Sequence, residues 1–295
     1  MGLRTLSTNT TNMKPEWLNK KINLKDCLVM KQNLRNLGVE TVCEQAMCPN
    51  IGECFSRKTA TFLILGKNCT RRCSFCNIQK KKPSPVDIQE PERVARAVEE
   101  LGLKHVVITS VTRDDLADGG AAIFAQTVMQ IKENSPQVKI EILIPDFGFS
   151  LRALKIVTAA NPDIIAHNLE TVPSLYNQVR QGADYLGSLG LLGALKDIAP
   201  QLKTKSGLML GLGEKADEVL SVMQDLRSVN CDFLSIGQYL APSKQHYPVK
   251  EYISPEQFDY CKEKGKALGF SYIESGPYVR SSYLAEGYLS KKRGN

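Results

Sequence analysis

From residue 61 onward, short apolar runs alternate with longer stretches that are apolar on one face, which is the rhythm of repeated β-α units. The runs at 61–65, 105–109, 139–144, 164–167, 205–210 and 233–237 predict strands. The stretches at 91–101, 121–133, 151–160, 185–198, 215–229 and 255–268 predict the helices that follow them. In the first helix Pro91 occupies a first-turn position, and Val94, Ala97, Val98 and Leu101 recur at helical spacing until Gly102 stops it. Six parallel strands with right-handed crossovers fit either an incomplete barrel or a doubly wound open sheet, and the pattern alone does not choose. In both, ligands gather at the strand C-termini. The segments there, 66–68, 110–115, 168–171, 211–214 and 238–243, carry polar residues and glycine.

Composition narrows the class. A chain of 295 residues, 42% hydrophobic, can bury a large core, and one α/β barrel with extensions fits the length. Gly and Pro together number 21 plus 14, or 35, too few for a low-complexity chain. The apolar runs at 106–108 and 140–144 fall far short of the roughly 20 residues that cross a bilayer, so a soluble protein is expected. Residues 1–12 have no apolar signal core; the cytoplasm is favoured, and their lack of acidic residues leaves organellar import open.

Cysteine carries the chemistry. Of nine, Cys43, Cys48, Cys54, Cys69, Cys73 and Cys76 crowd into 34 residues, while Cys27, Cys231 and Cys261 stand apart and receive no role. Such crowding in a chain without a secretory signal reads as metal or cluster ligation. Directly after the first strand, Cys69, Cys73 and Cys76 form CxxxCxxC, three thiols at the ligand-binding end of the sheet. A four-iron cubane held by three cysteines has one iron open to a small molecule's amino and carboxylate groups. Arg71 and Arg72 would offset the thiolate charge. The competing reading is a zinc knot, which needs a fourth ligand and usually paired CxxC spacing. Upstream, Cys43, Cys48 and Cys54 again offer three thiols without a fourth, for zinc closed by a distant side chain or for a second cluster. Near the other end stands Arg280-Ser281-Ser282-Tyr283. A serine there is either a turn or cap residue or a missing ligand.

CxxxCxxC after the first strand resembles the signature of the radical S-adenosylmethionine (SAM) superfamily. Together with CxxxxCxxxxxC before it and RSSY after it, the pattern resembles the lipoyl synthase family over about residues 26–287. The segments 109–120, 167–171, 204–214 and 237–246 agree with that family, while Thr112 and Ala241 depart from it without touching a cysteine. The resemblance implies an α/β fold, a partial (βα)6 TIM-like barrel at 59–270. It also implies an N-terminal extension at 26–58 with auxiliary-cluster cysteines and a C-terminal extension at 271–295 with RSSY. Residues 1–25 form an N-terminal segment for which flexibility is one reading.

The same resemblance implies two [4Fe–4S] clusters and S-adenosyl-L-methionine as cofactors. Cys69, Cys73 and Cys76 would hold the cluster that cleaves SAM to a 5′-deoxyadenosyl radical, and Phe75 would lie against the adenine. Cys43, Cys48, Cys54 and Ser282 would hold the auxiliary cluster, the sulfur donor. The implied reaction inserts sulfur at C6 and C8 of a protein-bound octanoyl-lysine. No side-chain base deprotonates an alkane, so a cofactor radical must act. An alkoxide from Ser282 is a harder ligand than thiolate and should leave more readily as the cluster is dismantled. Implied partners are octanoylated lipoyl domains or glycine cleavage H protein, a donor such as ferredoxin or flavodoxin, and iron–sulfur assembly or repair proteins.

Other candidates rest on position. Asn168 and Glu170 follow the fourth strand and could bond the SAM ribose or amine; a solvated loop is the alternative. Ser110, Arg113 and Asp114 follow the second strand and could hold the methionyl end, unless Arg113 and Asp114 pair with each other. Arg180 is either a carboxylate partner or a surface residue. His105, His167 and His246 read as packed or surface residues. Lys80, Lys81 and Lys82 are a solvated run or a docking patch for an acidic carrier or RNA. Two rivals remain: a tRNA methylthiotransferase, and a zinc or iron–sulfur module binding nucleic acid through the +7 charge. No RNA-binding addition is visible after Gly287, so neither nucleic acid nor membrane is expected as a partner.

Overall fold

The computed structural model describes residues 14–19, 24–57 and 59–289. Most of the segment 1–25, the side chain of Cys27 and the last six residues of the C-terminal extension lie outside them. The eight strands are β1 (Glu40–Thr41), β2 (Thr61–Ile64), β3 (His105–Ser110), β4 (Lys139–Leu143), β5 (Ile164–Ala166), β6 (Lys203–Leu210), β7 (Phe233–Gln238) and β8 (Tyr272–Gly276). They form one sheet in sequence order, antiparallel only between β1 and β2. Since β1 and β8 are its two edges, the sheet is an incomplete barrel rather than a doubly wound sheet, whose strand order reverses.

Three helices precede the parallel strands: α1 (Leu24–Asn36), α2 (Val42–Gln45) and α3 (Ile51–Ser56). The crossovers are α4 (Glu90–Glu100), α5 (Ala121–Asn134), α6 (Leu151–Ala159), the short α7 (Tyr176–Val179), α8 (Tyr185–Ile198), α9 (Ala216–Ser228) and α10 (Pro255–Ala267). All six expected β-α units are present. Local chemistry sets their ends: Pro91 lies in the first turn of α4, Ser150 caps Ala153 N–H, and Asp184 caps Gly187 N–H. Ser254 and Gln257 close a capping box at α10. No helix among the described residues is long and apolar enough to cross a membrane.

The sheet extends beyond the expected barrel end at 270. β8 pairs in parallel with β7 from Phe233–Tyr272 to Gly237–Gly276. It escaped the sequence pattern because Tyr-Ile-Glu-Ser-Gly is short and half polar, as befits an edge. The two-residue β1 was equally invisible.

Side chains alternate across the sheet. One set faces the helices and joins the main core, including Ile108, Ile140, Ile142 and Leu234. The other faces inward, where Thr61, Val107, Glu141 and Ile164 are register partners on successive strands, as are Lys205, Phe233 and Tyr272.

Candidate active site

The loop after β2 carries Cys69, Cys73 and Cys76 and is bonded on every side. Cys69 N–H donates to Gln79 O at 2.8 Å, and Cys69 Sγ accepts the Thr112 N–H at 3.3 Å, so Thr112, expected to touch no cysteine, does touch one through its backbone. Ser74 N–H donates to Val179 O, and Ser74 O accepts from Tyr247 N–H. Arg71 joins four loops: it bonds Asp114 through Nε and Nη2, contacts Asp146 at 3.2 Å, and donates to Gly182 O. Burial pushes the Cys73 thiol up to about 11, against the pull of Arg180, and the Cys76 thiol up to about 12. Phe75 packs beside Val179, Leu212 and Tyr239 at the strand C-termini.

Facing this loop, Asn168 donates to Glu170 Oε1 at 3.0 Å and to Ser281 Oγ at 2.6 Å. Its own Oδ1 is buried without a partner, as is Ser110 Oγ. Glu170 has φ +68°, a left-handed conformation costly for a side chain with a Cβ. Backbone bonds to Gly207 O and from Met209 N–H fix it there. Such over-determined strain clusters at functional sites. Burial raises the Glu170 carboxyl, while Arg180 and the Asn168 amide pull it back. Arg180 is not a surface residue: it donates to Tyr176 Oη and Ser188 Oγ at 3.0 Å and reaches His167 Nε2 at 3.4 Å. His167 Nδ1 donates to Ile144 O, and burial followed by Arg180 lowers its pKa to about 3, so it is a packed neutral histidine.

Arg113 and Asp114 behave differently from expectation. Arg113 forms a two-pronged pair with Asp115 at 2.9 Å and donates to Leu65 O; Asp114 pairs with Arg71 and Thr70. They do not pair with each other, and both charges are taken up in holding the loops. In these pairs they brace the loops beside the cysteines, and Ser110 of that trio has an unspent polar atom. Asp115 had no role in the sequence reading, and the contacts of Arg71 and Ser281 could not be read there, because spacing carries no sign of which side chains face each other across the barrel.

The second trio lies at the open side of the sheet. One cavity is lined by Cys43, Cys48, Cys54, Thr61, Arg280 and Ser282, with His105 and Val107 behind them. Residues before β2 and after β8 thus meet at a single place. Asn50 Nδ2 donates to Tyr278 O at 2.6 Å, and Tyr283 Oη donates to Glu53 Oε1 at 2.9 Å, which fastens α3 to the tail. Gly237 permits this approach, since a Cβ there would stand 2.0 Å from Val279 O. Burial pushes the Cys43 thiol up to about 12, and Cys48 adds to the rise. Cys231 and Cys261 are buried away from both trios, and Lys80, Lys81 and Lys82 are exposed.

Comparison with known proteins agrees with this geometry. Residues 63–226 match the model of the Radical SAM superfamily. A lipoyl synthase of Geotalea daltonii is 56% identical over 275 residues, covering 93% of each chain. A lipoyl synthase of Trichlorobacter lovleyi is 58% identical over 276 residues, covering 93% of this chain and 98% of its own. The crystal structure of methylornithine synthase superposes with a TM-score of 0.56 at 16% identity, covering 84% of this chain and 77% of that one, a likeness of fold alone. Sequence identity of this extent across nearly the whole length, joined to two three-thiol sites on an incomplete barrel, means that the chain belongs to the lipoyl synthase family of the radical SAM superfamily.

Proposed function

We propose that this chain inserts sulfur at C6 and C8 of an octanoyl group carried on a protein lysine, and that its two cysteine trios divide the labour. Enzymes of this family use [4Fe–4S] clusters and SAM. The donor sets fit: each trio offers three thiols, the second with a hydroxyl beside it, and the orphaned Ser110 Oγ and Asn168 Oδ1 await polar partners. When bound, SAM and the first cluster supply a radical able to take hydrogen from unactivated carbon, and the second cluster supplies sulfur.

The residues of the chain bind, orient and shield. Cys69, Cys73 and Cys76 hold the first cluster on a loop pinned by Arg71. Asn168, Glu170 and Ser110 offer acceptors and donors for the amine and hydroxyls of SAM, and Arg180 balances the buried Glu170 charge. Phe75, with Leu212 and Tyr239, gives a flat base an apolar wall that excludes water. Cys43, Cys48, Cys54 and Ser282 hold the second cluster. The observation that carries this reading is that Ser282, from the tail, lines the same cavity as the three cysteines before β2. A hydroxyl brought there by the opposite end of the chain suits a ligand that must later leave.

The chain acts on lipoyl carrier proteins. Octanoylated lipoyl domains and glycine cleavage H protein are the proposed substrates, ferredoxin or flavodoxin the electron donor, and iron–sulfur assembly proteins the source of the rebuilt cluster. Whole-length kinship with lipoyl synthases favours this over a tRNA methylthiotransferase or a nucleic-acid-binding module. The test is anaerobic incubation of reconstituted protein with SAM, dithionite and an octanoyl-lysine peptide. Mass spectrometry should find a lipoyl peptide and about eight iron per chain; about two zinc per chain and an unaltered peptide would refute the reading.

A further inference from the structure

Inside the barrel, on the register row of Thr61 and Val107 beside the cysteine cavity, lies an ion pair that the reaction chemistry does not call for. Lys205 on β6 and Glu141 on β4 both have side chains with 0% exposure, and Lys205 Nζ donates to Glu141 Oε1 at 2.9 Å and to Oε2 at 3.1 Å. It also donates to the main-chain carbonyl of Ser281, and it sits 3.7 Å from the ring centroid of Tyr288. Burying two charges is expensive, and well-packed apolar residues often serve stability as well or better. Stability alone therefore gives little reason for the pair. What distinguishes this ammonium is its company. Two of its partners, Ser281 and Tyr288, come from the C-terminal tail and bracket Ser282. Tyr288 is itself wedged among Ile164, Phe233 and Tyr272. The Ser281 hydroxyl is held from the other side by Asn168.

We propose that Lys205, oriented by Glu141, is a positioning residue that staples the tail inside the barrel so that the Ser282 hydroxyl faces Cys43, Cys48 and Cys54. The inference rests on the reading of that cavity as a cluster site. The carboxylate takes one side of the ammonium and fixes its height above the strands. The remaining donor direction selects the Ser281 carbonyl, and because that carbonyl shares a peptide plane with the Ser282 N–H inside a turn closed by the Tyr283 N–H to Arg280 O bond, fixing it fixes the direction from which Ser282 leaves the chain.

The test uses the full chain with Cys69, Cys73 and Cys76 all changed to Ala, so that only the second cluster assembles. That parent should retain about four iron per chain. The added pair Lys205→Met with Glu141→Gln removes both charges and leaves no unpaired one behind. With the far-UV spectrum unchanged, this protein should fall to about three iron per chain. After mild oxidation it should show the electron paramagnetic resonance signal of a three-iron cluster, matching Ser282→Ala in the same parent. A four-iron spectrum identical to the parent overturns the inference alone. Complete loss of iron also overturns it, because general disruption rather than loss of one ligand would then be the effect. A parent without iron overturns the cluster reading itself and the inference with it.

Discussion

Asn168 Nδ2 donates to Ser281 Oγ at 2.6 Å, joining the loop after β5 to a residue 113 positions further along the chain. The second amide hydrogen goes to Glu170 Oε1 at 3.0 Å, so both donors are spent while Oδ1 is buried and unpartnered. One side chain thereby touches both the loop proposed to meet SAM and the tail that bears Ser282. The two adjacent serines face different sites.

Crowding Asn168 should weaken SAM binding. A Cβ added at Gly207 would stand 2.8 Å from Asn168 Oδ1 and 3.0 Å from Ser235 Oγ, and both are side chains that can swing aside. Gly207→Ala should raise the SAM dissociation constant about tenfold, the worth of one hydrogen bond, near 1.4 kcal/mol. Anaerobic equilibrium binding measures it; an unchanged constant would remove Asn168 from the binding site.

Arg71→Lys should loosen the first cysteine loop. A lysine cannot reproduce the two-pronged contact with Asp114 while also meeting Asp146 and Gly182 O. The pair with Asp114 is partly exposed, so the loss should be only about 1 kcal/mol, a drop of about 2–4 °C in the thermal midpoint. Iron release from the first site to a chelator should quicken in parallel. Equal release rates in the two proteins would show that the loop does not depend on this clamp.

Acid should act through His167. Its folded pKa, lowered to about 3 by burial and then by Arg180, lies below the ordinary value of 6.5. The unfolded chain therefore takes up a proton that the folded chain refuses, and stability falls as pH drops from about 6.5 toward 3. Between about pH 6.5 and pH 5 the loss is about 2 kcal/mol. In His167→Gln, whose amide can still donate to Ile144 O, that share should vanish. Thermal midpoints of both proteins across this range decide it, and parallel curves would mean that His167 is protonated in the folded state.

Gly237→Ala should eject the tail. The neighbour of the added Cβ is backbone, Val279 O at 2.0 Å, which cannot rotate away. With Ser282 withdrawn and the three cysteines still in place, iron should fall from about eight to about seven per chain while SAM cleavage continues. Retention of all eight would mean that the second site does not need the tail.

The frame of the barrel was legible because strands such as Val106–Ile108 and Ile140–Ile142 face helices on one side and bury their other side in the lumen, giving nearly continuous apolar runs. Where the lumen turned polar, the strands were still legible but the partners of their inward side chains were not. Glu141 between two isoleucines reads as a solvent-facing position, yet it is buried against Lys205, 64 residues away. The first cysteine trio could be read from spacing and its place after a strand. Ser282 could be read only through family resemblance, since an isolated serine pair looks like a cap. The pairing of Arg113 with Asp114 that their adjacency suggested is absent, because a loop's turn decides which neighbour a side chain meets, and here Asp115 and Arg71 take them.

The division of labour between the trios is tested most directly by comparing Cys48→Ala with Cys73→Ala under identical reducing conditions, following 5′-deoxyadenosine and lipoyl peptide together. Cys48→Ala should still form 5′-deoxyadenosine but no lipoyl product, and Cys73→Ala should form neither. Lipoyl peptide from the Cys48→Ala protein would contradict the assignment of the second cavity as the sulfur source.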